Sequence, residues 1–158
     1  MISKEFPILE FDGVSENIIE PSKFIKKIDM PEQVIMCFYS EVIEKLAGEG
    51  KLKEIKALHS QIGKHPVYEL EHNDNKVAVF HPGVGASLGA GIMEEEVIAL
   101  GGKKFICCGS GGVLDKAIAA GHILVPTSAV RDEGTSYHYV KPSREISANG
   151  KAVKAIEK

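Results

Sequence analysis

The sequence predicts an α/β fold in which a mixed, mostly parallel sheet is flanked by helices. Three observations carry that expectation. From residue 32 onward, apolar strand-like runs alternate with amphipathic stretches of helical period. Two glycine-rich turns, 83–91 and 109–112, each follow directly on such a run, as the strand-to-helix turns of parallel sheets do. A chain of 158 residues, 44% hydrophobic and 26% charged, suffices for one compact core.

Residues 1–31 carry Pro7, Pro21 and Pro31 among short apolar patches without sustained period. They read as an N-terminal arm that packs on the domain or on a neighbouring subunit. The α/β domain spans 32–158. "EQVIMCFY" (32–39) is a continuous apolar run rich in strand formers, expected as a buried strand. Ser40 is placed to cap the helix that follows, whose Val42, Ile43 and Leu46 share one face before Gly48 and Gly50. "KLKEIKALHS" (51–60) is ambiguous: Leu52, Ile55 and Leu58 suit a helix, yet the piece is short. "PVYEL" and "KVAVF" flank His72-Asn73-Asp74-Asn75 and predict a hairpin. "LGAGIMEEEVIAL" predicts a helix closed by Gly101-Gly102, and "KKFICC" a buried strand. "VLDKAIAA" predicts a short helix and "GHILVP" another strand. "NGKAVKAIEK" opens an amphipathic helix with no stop signal, so the domain reads as incomplete at its C-terminus.

A net charge of -3 gives no electrostatic reason to expect nucleic acid or an anionic membrane as a partner. No apolar run approaches the roughly 20 residues that span a bilayer, and the N-terminus lacks a basic stretch followed by an apolar one. The expected location is cytoplasmic. Cys37, Cys107 and Cys108 all lie in apolar runs and read as small buried hydrophobes; the adjacent pair lacks Cys-x-x-Cys spacing. No grouping of His, Cys and carboxylates has metal-ligand spacing, so no metal is expected.

Gly109-Ser110-Gly111-Gly112 ends a strand and precedes a helical stretch. Its N–H groups can converge as a nest, the Ser110 hydroxyl adds a donor, and glycine lets a ligand approach the main chain. A tight turn whose glycines merely permit positive φ accounts for the pattern equally well. "HPGVGASLGAG" is similar to G-x-G-x-x-G, but the spacing is imperfect and no acidic residue follows at the offset that holds a ribose. Close packing of the helix on the sheet accounts for Gly89 and Gly91, which argues against a dinucleotide site. "AVRDEGTSYHYV" (129–140) crowds polar side chains past a strand. Arg131, Asp132 and Glu133 form either a local ion pair or the wall of a pocket or subunit contact. His138 either touches a ligand or is a half-buried structural residue.

The run "VFHPGVGASLGAGIMEEEVIALGGKKFICCGSGGVLDKAIAAGHILVPTSAVRDEGTSYHY" resembles the nucleoside phosphorylase superfamily, the group of purine nucleoside and uridine phosphorylases. Within it the run looks closest to the uridine phosphorylase-like branch. The resemblance covers roughly residues 32–158 and is strongest over 77–140. It implies a Rossmann-like α/β sandwich assembled as a homo-oligomer. It also implies cleavage of a nucleoside N-glycosidic bond, with phosphate attacking the anomeric carbon. Nucleoside and phosphate are then the partners, and no cofactor is implied beyond phosphate as co-substrate. In the family the turn matching 109–112 cradles the reactants. Carried over, Ser110 contacts phosphate or another nucleophile, and Gly111 and Gly112 line the pocket for ribose and base.

Two departures from the family bear on chemistry. Its phosphorylases clamp phosphate with arginines, one in a glycine–aspartate turn after the first strand and one two residues before the turn glycine. Here the first region reads "MCFYSEVIEKLA", the second position is Cys107, and the only arginines are Arg131 and Arg144. Lysine is a poorer geometric substitute for a bidentate guanidinium. Nucleosidases of the superfamily use water and need no clamp, so hydrolysis is the alternative. Family members also continue for about another hundred residues, still within the usual size of one domain. That half carries the ribose-gripping glutamate and the acid that protonates the base, so the resemblance assigns no catalytic residue here. A non-catalytic relative that binds nucleosides or serves assembly is the reading from another class.

Overall fold

A computed structural model describes residues 5–158; the first four residues of the N-terminal arm lie outside the described residues. The chain divides into two compact units, one of residues 16–110 and one of residues 5–15 with 111–158.

The 16–110 unit is a five-stranded mixed sheet between helices. A short helix α1 (Pro21–Phe24) precedes β1 (Gln33–Cys37), α2 (Ser40–Gly48), β2 (Leu52–Ser60), β3 (Gly63–His72) and β4 (Asn75–Phe80). Helix α3 (Ala86–Ile92) then runs on as a π-helical stretch, Met93–Ile98, into β5 (Lys104–Cys108). The strand order is β2-β3-β4-β1-β5. β1 pairs in parallel with both β4 and β5, Ile35 facing Val79 on one side and Ile106 on the other. The β2–β3 and β3–β4 pairs are antiparallel. Central position explains why β1 is apolar without alternation: it has a layer on each face. Val34, Met36, Val67, Ala78, Phe80, Ile92 and Val97 pack on the face that α3 covers. Cys37, Ile43, Leu52 and Val79 pack on the face that α2 covers.

The ambiguous segment 51–60 is strand. Leu52 enters one core and Ile55 packs against the other, which an odd separation along a strand allows, with a bulge between Glu54 and Lys56. The predicted hairpin turns on Asn73 and Asp74, both at positive φ (50° and 60°), which their short polar side chains tolerate. Ser40 is not the helix cap. The turn closes one residue earlier, with Val42 and Ile43 N–H both donating to Tyr39 O, so Ser40 is the first helical residue. Gly101, at φ 137°, closes the helix after Leu100 as expected; Gly102 follows where a Cβ would sit 2.8 Å from Val97 Cγ1.

Strand β5 forms where "KKFICC" predicts one, but it is not buried. Within its unit it pairs only with β1, so its outer edge has no strand and Ile106, Cys107 and Cys108 are exposed. Of the three cysteines only Cys37 is buried.

The other unit carries a 3-10 turn at Pro7–Leu9, then β6 (Ser128–Val130) antiparallel to β7 (Glu145–Ser147), with a 3-10 turn Thr135–His138 between them. It closes with α4 (Gly150–Ile156), capped by Asn149, whose Oδ1 accepts from Lys151 and Ala152 N–H at 3.0 and 3.3 Å. Two expectations fail here. "VLDKAIAA" is not a helix: Asp115 Oδ1 accepts from Ala117 N–H at 2.8 Å, a local bond that competes with helical winding, and Leu114 is fully exposed. "GHILVP" is not a strand: Ile123 and Leu124 are exposed, and strand structure begins only at Ser128. Apolar residues without a paired neighbour gain nothing from extended structure.

Candidate functional site

In the 16–110 unit the carboxyl ends of β1, β4 and β5 lie side by side, the edge at which open α/β sheets bind ligands. Phe38 follows β1, with its N–H donating to Cys108 O at 2.9 Å. Its ring sits in the middle of that edge. On one side it meets His81, which follows β4, edge to face with centroids 6.3 Å apart. On the other, a Cβ placed at Gly109 would approach Phe38 Cδ2 to 3.3 Å. His81 is itself oriented: Gly83 N–H donates to its Nδ1 at 3.0 Å, which leaves Nε2 as the protonated nitrogen of the neutral ring. Gly83 (φ 74°) and Gly85 (φ 91°) make this turn possible, and a Cβ at Gly83 would collide with Leu88.

Beside Phe38 opens an apolar slot of about 460 Å³. Helix α3 and its cap contribute Gly85, Ala86, Gly89, Ala90 and Met93; β1 and the residue after it contribute Met36 and Phe38. Among the described residues, no charged side chain lines it. Gly89 and Gly91 are not glycine for the sake of packing, contrary to expectation. A Cβ at Gly89 would make ordinary contact with Pro82 at 3.7 Å, and one at Gly91 would meet nothing within 4 Å.

Ser110, the last residue of this unit, is exposed just beyond β5. Gly111 and Gly112, the first residues of the other unit's second segment, are exposed and outside regular structure. None of Gly109, Gly111 and Gly112 has positive φ, so the tight-turn account of this glycine cluster fails. A Cβ at Gly111 or Gly112 would meet nothing within 4 Å. Cys107, two residues before Gly109, points its sulfur at Met36 Sδ, 3.5 Å away. Partial desolvation of that sulfur, and then the neighbouring Cys108, push its thiol pKa up, so it is a poor source of thiolate.

In the 5–15/111–158 unit, Arg131 is buried and bonded to neutral groups rather than paired with Asp132 or Glu133. Its Nε donates to Ser136 Oγ at 2.9 Å, Nη1 to Lys141 O and Ser143 Oγ, and Nη2 to Val140 O. The guanidinium also lies 4.3 Å above the Tyr137 ring. Glu133 accepts from Ser136 N–H and Oγ, and that hydroxyl first, then the N–H, hold its carboxyl below the usual range. Arg131, Asp132, Tyr137 and Arg144 border an open cavity of about 600 Å³, the pocket-wall alternative for this segment. His138 is exposed and is not a half-buried structural histidine.

Among the described residues, no three of His, Cys, Asp and Glu gather as a metal-sized group. Among them also, no helix is long and apolar enough to cross a membrane. Sequence reasoning missed His81 and Phe38; the only signal was "FHPG", a histidine at a strand end before a glycine turn.

A five-stranded mixed sheet between helices, with glycine-rich segments at the carboxyl ends of its parallel strands, defines an α/β fold. Residues 32–158 match the phosphorylase superfamily, and the chain belongs to it. It is similar to uridine phosphorylase of Haemophilus influenzae, with 31% identity over 84 residues, 53% of this chain and 33% of that protein. The chain spans about a third of the length of that relative.

Proposed function

We propose that the chain is part of a nucleoside-cleaving enzyme in which phosphate attacks the anomeric carbon and the base departs. In that step a C1′–O bond forms as the C1′–N bond breaks. The base leaves with the bonding electrons and takes up a proton, giving a pentose 1-phosphate. The observation that carries the reading is the superfamily match across 32–158 together with a glycine turn at the end of β5. Neither positive φ nor packing demands glycine at 111 and 112. Close approach of a ligand to the main chain is the remaining physical reason for them. Ser110 then supplies a hydroxyl, and Gly111 and Gly112 backbone N–H groups, to phosphate and sugar. Cytoplasmic location and homo-oligomeric assembly belong to the same reading.

A specific observation favours water as the nucleophile instead. The β1–α2 connection offers Phe38, Tyr39 and Ser40, Cys107 precedes the turn, and among the described residues no cation lines the slot. A phosphate dianion held without a guanidinium loses its strongest available partner. Incubation with uridine, inosine and adenosine, with and without phosphate, decides between the two. Base release that requires phosphate is the expected result; release without it assigns hydrolysis, and no release for any of the three by the full-length protein overturns both.

A further inference from the structure

We propose that the open cavity bordered by Arg131 and Arg144 is a binding site for a small monocarboxylate with an apolar body, such as an aromatic acid. This holds whether or not the chain cleaves nucleosides. The cavity's volume, about 600 Å³, falls in the range of small-molecule sites. Nineteen residues of the chain are Lys or Arg, yet only Arg131 and Arg144 are arginines, and both border this cavity. Among the described residues, no lysine lines it. The choice of side chain matters, because a guanidinium presents a rigid fork of N–H donors that matches a carboxylate and an ammonium does not.

Arg131 is buried and already fixed in place. Its bonds to Ser136, Lys141, Ser143 and Val140 hold the guanidinium over the Tyr137 ring. All four bonds go to neutral oxygens, and among the described residues the fifth N–H, on Nη2, has no partner. Glu133 reaches the guanidinium only through the Ser136 hydroxyl, which accepts from Nε and donates to the carboxylate. A buried cation without a direct counter-ion favours an anion in the cavity that it borders. Arg144 is the exposed second fork, and among the described residues no ion pair engages Arg131, Arg144 or Asp132. Asp132, also in the wall, sets the charge of the guest. Two arginines and one aspartate leave a single net positive charge, which a carboxylate neutralises. Phosphate, with more than one negative charge at neutral pH, overcompensates it and faces Asp132. Leu9, Val130 and Pro142 complete the wall with apolar surface, which rewards an apolar body over a polyhydroxylated one.

The test uses the 158-residue chain labelled with ¹⁵N at arginine alone, so that Arg131 and Arg144 each give one Nε–H resonance. Titration with benzoate shifts both saturably. Benzamide, its uncharged analogue, moves neither, and inorganic phosphate binds about tenfold more weakly or not at all. Arg144→Gln alters an exposed side chain and keeps the backbone carbonyl that accepts from the Arg131 N–H. It weakens benzoate binding about tenfold or more, read at the Arg131 resonance. Arg144→Lys, which keeps the charge and loses the fork, recovers only part of that loss. Asp132→Asn tightens benzoate binding and narrows the gap to phosphate. Unmoved arginine resonances at millimolar benzoate, equal shifts with benzamide, phosphate binding as tight as benzoate, or full recovery in Arg144→Lys each overturns the proposal.

Discussion

Replacing Arg131 by methionine removes a buried charge while keeping most of the side chain's length. Arg131 is 6% exposed and donates four hydrogen bonds, to Ser136 Oγ, Lys141 O, Ser143 Oγ and Val140 O. Each such bond contributes about 1 kcal/mol net, somewhat more from a charged donor. Val140 and Lys141 are exposed, and water can satisfy their carbonyls once the guanidinium is gone. The expected loss is therefore about 2–4 kcal/mol, or about 30-fold to 1000-fold in a local opening equilibrium. Hydrogen exchange read by mass spectrometry localises it. The Arg131 N–H donates to Arg144 O and the Ala148 N–H to Thr127 O, so amides flanking β6 and β7 exchange faster by that factor. Those of β1, in the other unit, do not change. Unchanged protection around β6 and β7 would mean that burying the guanidinium cost as much as its bonds returned, and the reasoning given for this loop would fail.

Phe80→Ala, at a side chain 1% exposed in β4 and packed under α3, costs about 3–5 kcal/mol and lowers the urea midpoint correspondingly. Glu133 titrates below its usual 4.5 because Ser136 bonds its charged form. Its contribution to the 131–145 loop is complete above that value and disappears as pH falls through the depressed one. The Ser136 amide resonance should follow that titration and lose it in Glu133→Gln; a midpoint at or above 4.5 refutes the assignment. Ser110→Ala, at an exposed residue, weakens phosphate or nucleoside binding about tenfold by calorimetry, with thermal stability unchanged. Equal affinity in the variant moves the pocket elsewhere.

Several elements were legible because their signals are local. The β3–β4 hairpin is written in Asn73-Asp74, residues that accept positive φ, and β1 in a run too apolar to face water on either side. The Arg131 network was not legible. Its partners at 136, 140, 141 and 143 are serines and backbone carbonyls, and a polar cluster past a strand looks the same whether it pairs charges or solvates one buried cation. The slot was hidden for a related reason: Met36 and Phe38 lie some fifty residues before Gly85–Met93, and only the parallel pairing of β1 with β4 brings them together.

The sequence by itself determined the α/β alternation, the superfamily and the position of the glycine turn at the end of β5, because these rest on residue order and short-range backbone preference. Tertiary structure decided which apolar runs become strands. "KLKEIKALHS" became one because it found β3 as a partner, and "GHILVP" did not, because extended backbone is stable only where neighbouring N–H and C=O groups complete its ladder. It also decided what the glycines of α3 are not for. Gly89 and Gly91 fit a packing rule on paper, and only the three-dimensional space around them shows that packing does not require glycine at either position.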